Sequence, residues 1–573
     1  MPIRHSYRIK LTNFYRLLWY FVLFLSACSD SDQSPTTTPA ASPIPPTQSV
    51  STPRILQLLL LYDGEKQAWI EEVTSQFNQA HYPISDGQLI HVKTIPMNSW
   101  QIIDEVLSKN RQAHLLSPAA DIFIQLGNTK SQLQTGQDLV GYTENLLLSP
   151  IVIAMWKPLA ETLGWSRQPL GWADMVALAK NSQGWAAYHY PQWGNFKLGH
   201  PHPEYSHQGF LSLFTQVYAA ANKLTELTLT NINQPSVATY LHDIQQTVIH
   251  YGHSSHFVQQ EFLRCGPTYL SAAVCSEHQV IQSYQQQASL AFPIVAIYPK
   301  EGTLWSEHPI GLVERDWVTP VHREAALLYI EYLLANPQQE RALQYGFRPT
   351  NVQVPLNAPI DMAHGVNPKE PKVTLETPSI ELMMATLQLW HQQKKAANVM
   401  IVLDTSGSMR GDKIYHARDT ILQILEKLGD NDHFSLLSFN HHFNWVVEDA
   451  QVGAQREKLQ RQVNYQSPGG GTALYDAIEQ AYHFLSTHSY PDKISVMIIL
   501  TEGGDSHSQL NPTTLLDKIR ASSEQQPITI FTIGYDSVAD KKLLREIAQR
   551  THGKFYDGTT TPVDILKNIA VFF

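Results

Sequence analysis

The sequence predicts an α/β protein with two folded regions in tandem, the second a doubly wound parallel sheet. Three observations carry this. Short apolar runs alternate with amphipathic stretches over 55–107 and again over 399–549, the strand–helix rhythm of parallel sheets. A proline-rich stretch without period, 352–377, separates them. The 573 residues also exceed what one hydrophobic core supports.

Ahead of both regions lies a segment of different character. Residues 1–27 carry Arg4, Arg8, Lys10 and Arg16 and no acid, then an apolar run over 17–25, then Ser26 and Ala27 before Cys28. The run is too short to span a bilayer and ends in small residues, as a secretory signal does. Leu25-Ser26-Ala27-Cys28 resembles the lipobox of bacterial lipoproteins. That resemblance implies cleavage before Cys28, lipidation of its thiol (palmitate among the acyl chains) and stable anchoring by several chains. Residues 28–54 are rich in Ser, Thr and Pro and cannot bury enough surface to fold, so they read as a stalk.

In the first region, 55–351, a buried strand is expected over 55–62. Asp63-Gly64-Glu65 then opens a helix over 66–77. A strand at 89–95, a helix at 99–107 and a third strand at 121–125 follow. Apolar segments at 148–155 and 290–298 flank a long, mostly helical interval, as if a second lobe were inserted between them. A helical pattern at 324–334 and the segment Tyr345-Gly346-Phe347-Arg348-Pro349 close the region. Residues 352–396 supply a connection and a helix over 380–393. In the last region, 397–573, strands at 399–403, 434–439, 494–500 and 528–533 alternate with helices at 413–428, 473–485, 513–521 and 541–549. An apolar helix at 563–573 ends the chain. In this order ligands sit at the carboxyl ends of the strands.

That edge is where chemistry gathers. The strand at 399–403 runs into Asp404-Thr405-Ser406-Gly407-Ser408, and alternate positions place Asp404, Ser406 and Ser408 on one side. Ser467-Pro468-Gly469-Gly470-Gly471-Thr472 brings a hydroxyl behind three glycines, which let backbone approach closely. Thr501-Glu502-Gly503-Gly504-Asp505 adds carboxylates. Few carboxylates, several hydroxyls and retained water suit a small hard cation, Mg²⁺ first, with Mn²⁺ or Ca²⁺ as alternatives. Together the three motifs resemble the metal-ion-dependent adhesion site (MIDAS) of von Willebrand factor A (VWFA) domains. The resemblance implies Ser406, Ser408 and Thr472 as ligands and Asp404 as an organiser. It also implies a partner protein that offers a carboxylate to the metal. Glu502 stands where that family usually has Asp, which puts cation affinity in question.

The first region resembles the type 2 periplasmic solute-binding proteins of ABC transporters. The resemblance rests on Tyr298-Pro299-Lys300-Glu301-Gly302-Thr303, the 324–334 helix, Asn336-Pro337-Gln338, Tyr345 to Pro349, and His202-Pro203-Glu204-Tyr205-Ser206. It implies two lobes that close on a small-molecule solute by hinge motion. Tyr205, Ser206 and Thr303 are the ligand-binding candidates, against a helix cap at Ser206 and a packing turn at Thr303. His200, His202 and His207 sit among prolines without thiolate or carboxylate company and read as a solvated loop. Cys265 and Cys275 either pair as a disulfide or remain separate buried thiols.

Lys and Arg number 41 against 51 Asp and Glu, so no basic footprint points to nucleic acid. No nucleophile elbow, phosphate loop or paired catalytic carboxylates appear, so no enzyme is expected. The sequence reads as an exported, lipid-anchored binding protein engaged in cell adhesion through its A domain and in ligand sensing through its solute-binding region. Solute delivery to an ABC permease is the alternative.

Overall fold

The computed structural model describes residues 54–285, 290–488, 490, 492–502, 504–521, 528–535, 541–558, 569 and 572. The signal, Cys28 and nearly all of the stalk lie outside the described residues, as does the expected terminal helix apart from Ile569 and Phe572.

Strand Ile55–Asp63 alternates exposed and buried side chains at its start and is almost wholly buried from Leu58 on, as a central strand covered on both faces must be. It pairs in parallel with Leu89–Met97 on one side and Leu115–Ser117 on the other. Antiparallel strands Pro309–Val313 and Val140–Asn145 extend the sheet to five strands. The expected strand at 121–125 is instead the start of helix Asp121–Thr135. Asp121 favours a helix N-terminus through the dipole, and Ile122, Phe123 and Leu126 fall on one buried face. The true third strand has three residues, too few to show a period.

The second lobe is built on strand Leu147–Trp156. It pairs with Ala272–Ser276, Ile294–Ile297, Trp305–Ser306 and Arg348–Pro349, and the sheet continues through Leu198–Pro201 to Val248–Gly252. Two crossings join the lobes. Val140–Asn145 runs on into Leu147–Trp156, and Trp305–Ser306 into Pro309–Val313; where they meet, the Leu146 N–H donates to the His308 carbonyl (3.3 Å).

The connection is itself packed. Ile360, Val366 and Leu375 are buried, and the Tyr218 hydroxyl donates to the Glu376 carbonyl (2.9 Å). Helix Ile380–Gln393 seats Trp390 against His202 and Tyr251, with its indole N–H donating to Gln245 Oε1 (3.3 Å).

The last region is a six-stranded sheet in the order Phe443–Gln451, His433–Phe439, Ala396–Asp404, Lys493–Thr501, Thr529–Gly534, Phe555–Asp557. Only its first pair is antiparallel. Successive residues of Ala396–Asp404 point to opposite faces, so they feed two cores. Val399, Ile401 and Leu403 join the core continuous with the first region, whereas Met400 and Val402 pack with Leu474, Ile478 and Ile499. The hairpin strand Phe443–Gln451 and the short edge strand Phe555–Asp557 escaped sequence reading; each is only half-buried and shows no clean alternation. Among the described residues no helix is long and apolar enough to cross a membrane.

Candidate functional sites

Strand Ala396–Asp404 delivers Asp404, fully buried, to the carboxyl edge of the last sheet. Its Oδ1 accepts from the Ser406 N–H (2.8 Å) and its Oδ2 from the Thr501 hydroxyl (2.7 Å) at the end of the neighbouring strand. These bonds fold the chain back so that the Ser406 and Ser408 hydroxyls lie 3.0 Å apart. The glycine turn is laced to them: the Gly469 N–H donates to the Thr405 carbonyl (2.7 Å) and the Gly407 N–H to the Gly470 carbonyl (2.9 Å). Gly470 has a positive φ of 87°, and a Cβ there would lie 2.3 Å from His441 Nδ1. Thr472 follows, its N–H donating to Ser506 Oγ (3.1 Å).

Burial lifts the Asp404 carboxyl above its usual range, and the nearby Glu502 charge adds to this. No ion pair to Asp404 occurs among the described residues, whereas Glu502 is paired with the Lys413 ammonium. A buried carboxylate under two converging hydroxyls fits a hard divalent cation. The lysine partner on Glu502 means that this carboxylate is already neutralised from the protein side.

The second site lies in the cleft between the lobes of the first region, a cavity of about 620 Å³. The turn after strand Ile55–Asp63 is capped by Asp63, whose Oδ1 accepts from the Glu65 N–H (3.1 Å) and whose Oδ2 accepts from the Ser99 hydroxyl (2.6 Å). That turn sends Glu65 across to the second lobe. There Oε1 accepts from the Gln208 amide and, at 3.4 Å, from the Ser276 hydroxyl. Three imidazoles surround the carboxylate: His207 Nε2 is 2.9 Å from Oε2, His308 Nε2 is 3.7 Å from Oε2, and His278 Nε2 is 3.8 Å from Oε1. All four side chains are nine-tenths buried or more.

Burial pushes the Glu65 carboxyl up, but the charges of His207, His278 and Lys66 outweigh it and hold the group below its usual range. Burial pulls His207 down, and Glu65 more than restores it, so its pKa is raised. His278 and His308 are both lowered, by burial first. Burial likewise brings Lys66 down to about 8.

Of the residues singled out in the sequence, Tyr205 and Ser206 line this cleft. Ser206 is also the N-cap of helix His207–Ala221, accepting weakly from the Gly209 N–H (3.5 Å) and donating to Gln208 Oε1 (2.7 Å). Thr303 is elsewhere. It is buried, its hydroxyl donating to the Ile151 carbonyl (2.6 Å), and it packs a turn. Asp404, Ser406 and Ser408 come together, the Glu502 charge acts on Asp404, and the glycine turn that leads to Thr472 is tied to Thr405 and Gly407.

One alternative left open by the sequence is decided, and one expectation is corrected. Cys265 and Cys275 are free thiols. Cys275 is locked inside the second-lobe sheet opposite Val152, whereas Cys265 ends helix Ser255–Cys265 and faces His552 (Sγ to Nδ1, 3.2 Å). His200, His202 and His207 are not a solvated loop but buried. His200 lies in strand Leu198–Pro201, with Gln216 Nε2 3.0 Å from its Nε2, and His207 opens a helix beneath Glu65. Asp63, Glu65, His278 and His308 were missed as site residues. Asp63-Gly64-Glu65 at a strand end was the available signal, read only as a helix start.

A family model for bacterial extracellular solute-binding proteins matches residues 58–348, just over half of the chain. The chain belongs to that family. A second model, for the von Willebrand factor type A domain, matches residues 398–568. This solute-binding protein is 32% identical over 160 residues to inter alpha-trypsin inhibitor, heavy chain 4 of Mus musculus, covering 26% of the chain and 17% of that relative. It thus spans less than a fifth of that relative's length. A von Willebrand factor type A structure from Catenulispora acidiphila matches at 25% identity with a TM-score of 0.28, over 31% of this chain and 43% of that one. The periplasmic binding protein P5PA matches at 14% identity with a TM-score of 0.40, over 59% and 99% of the respective chains.

Proposed function

We propose that this protein is an exported binding protein, tethered to a bacterial membrane through lipidated Cys28. Its A domain engages a partner protein through a bound Mg²⁺, and its two-lobed region captures a small ligand in the cleft. The observation that carries the reading is the arrangement at Asp404. A buried carboxylate there is spent on the Ser406 N–H and the Thr501 hydroxyl, which leaves the Ser406 and Ser408 hydroxyls side by side at the sheet edge. Asp404, Ser406, Ser408 and Thr472 would hold the ion, with Glu502 in its outer surroundings because Lys413 engages it. An ion with so few anionic ligands stays electrophilic, and a carboxylate from a partner completes its shell.

The test is isothermal titration of the full chain with Mg²⁺, Mn²⁺ and Ca²⁺, beside an Asp404→Ala, Ser406→Ala double variant. Saturable Mg²⁺ binding that disappears in the folded double variant supports the reading. Absence of binding by the folded wild type removes the cation-dependent part and leaves the A domain a scaffold.

A further inference from the structure

Glu65 is held in an unusual way for a buried carboxylate. His207 Nε2 meets its Oε2 at 2.9 Å as an ion pair between the lobes, and both atoms are buried with no further hydrogen-bond partner. His308 Nε2 is buried without a hydrogen-bond partner, 3.7 Å from the same oxygen. One ion pair and one unpartnered nitrogen leave this buried carboxylate with donors around it that a further group could use. Each histidine also has its other ring nitrogen turned outward to a polar group. Nδ1 of His207 faces Asp63 Oδ2 (3.8 Å), that of His278 faces Ser149 Oγ (3.2 Å), and that of His308 faces Lys66 Nζ (3.2 Å). An outer Nδ1 beside a group that can accept its proton, as at His207 and His278, is how proteins orient imidazoles toward a metal, whereas the Lys66 ammonium donates to His308 Nδ1 and leaves the proton on its Nε2. Asp63, Glu65 and His207 offer ligand atoms that all lie within 4.8 Å of one another.

We propose that the floor of the cleft takes one divalent transition-metal ion, with Glu65 from the first lobe and His207 from the second as its anchoring ligands. Asp63, His278 and His308 surround that pair and supply the remaining donors or hold the ion's outer ligand. Imidazole with carboxylate suits Zn²⁺ and its neighbours, not the hydroxyl-seeking Mg²⁺ of the A domain. Ligand atoms around Zn²⁺ sit about 3.3 Å apart in a tetrahedron, and the Asp63, Glu65 and His207 ligand atoms already lie within 4.8 Å of one another. Because the anchors come from opposite lobes and already stand 2.9 Å apart, a bound ion holds the lobes in this closed arrangement. The inference rests on the cleft being the ligand site, and it names the ligand's class.

The experiment is titration of the metal-stripped full chain with Zn²⁺, in wild type and in Glu65→Gln, His207→Gln and Cys265→Ser variants. Co²⁺ absorption spectra and small-angle scattering accompany each titration. Expected is one tight equivalent in wild type and in Cys265→Ser, weakened roughly hundredfold or more in each of the other two. Visible Co²⁺ bands should appear without thiolate charge transfer, and the chain should become more compact on Zn²⁺ addition. The near-isosteric Glu65→Gln change retains the fold, which its circular dichroism would verify, and His207→Gln gives a second reading if one variant unfolds. No Zn²⁺ bound by the wild type, or an equivalent that survives both cleft variants, overturns the metal. Compaction on small organic solutes instead of Zn²⁺ would also overturn the metal while leaving the cleft as a ligand site. A tight equivalent lost in both cleft variants but without compaction would keep the metal and overturn only the closure of the lobes on it.

Discussion

The two candidate sites differ in how they hold histidine. The solute-binding region buries His200, His202, His207, His278 and His308, whereas the A domain keeps His441, His442 and His507 exposed at the rim of its loops. An imidazole taken out of water must be neutral, paired or bound to something, so burial turns it into a constraint on pH and on ligand. The cleft is accordingly a carboxylate ringed by nitrogen. The A-domain edge is a carboxylate roofed by hydroxyls, and it suits a harder ion.

The largest effect that should separate the regions is acid. Burial holds His200 down to about 4 and His202 down to about 3. Around His202, Glu204 favours the charged form and Lys394, His391 and His200 oppose it. Unfolded histidine takes a proton near pH 6.5, so between there and about 4 the unfolded chain binds more protons than the folded one. Stability is complete above pH 6.5 and falls as pH drops, by on the order of 3 kcal/mol for each of the two histidines. Urea unfolding followed at pH 7.5, 6 and 5 should show the transition of the solute-binding region moving to lower urea. Signals from the A domain, such as Trp445, should move less. Equal shifts in both would show that the regions unfold as one unit.

The connecting helix tests that coupling directly. Trp390 is fully buried, with its ring 4.9 Å from His202 and 5.4 Å from Tyr251. Trp390→Ala should cost about 3–5 kcal/mol through lost burial and the cavity left behind. It should also admit water to His202 and make the acid effect smaller. Denaturant midpoints at pH 7.5 and 5 measure both. A cost below about 1 kcal/mol would mean that the helix is a tether and not part of the shared core.

Much of the A domain could be read from its sequence because its determinants are local. Its four main strands are short, mostly apolar and almost wholly buried, and Asp404, Ser406 and Ser408 sit within one turn whose backbone pattern their spacing dictates. The cleft could not be read that way. Glu65, His207, His278 and His308 lie on four separate segments, and only the sheet topology, with two crossings at the hinge, brings them together. His200 and His202 misled for a related reason. Their prolines looked like loop punctuation, yet Pro201 ends a short strand between Val248–Gly252 and Ala272–Ser276. The helix at 121–125 was misread because three apolar residues in a row fit either period.

The smallest effect should fall on the site that was easiest to read. Gly470 holds φ near 87°, a region that costs a side-chain-bearing residue about 1–2 kcal/mol. An added Cβ would also press on the exposed His441 ring, which can swing away. Gly470→Ala should therefore lower A-domain stability by about 1–2 kcal/mol, read as a modest shift in its urea midpoint. Its functional effect should be larger in proportion. The Gly470 carbonyl accepts from Gly407 N–H at 2.9 Å, between Ser406 and Ser408, so a displaced turn pulls the two hydroxyls apart. Mg²⁺ affinity should weaken while Zn²⁺ uptake at the cleft stays unchanged. Equal loss of both metals would mean that they share a site, and the contrast between the two regions would not hold.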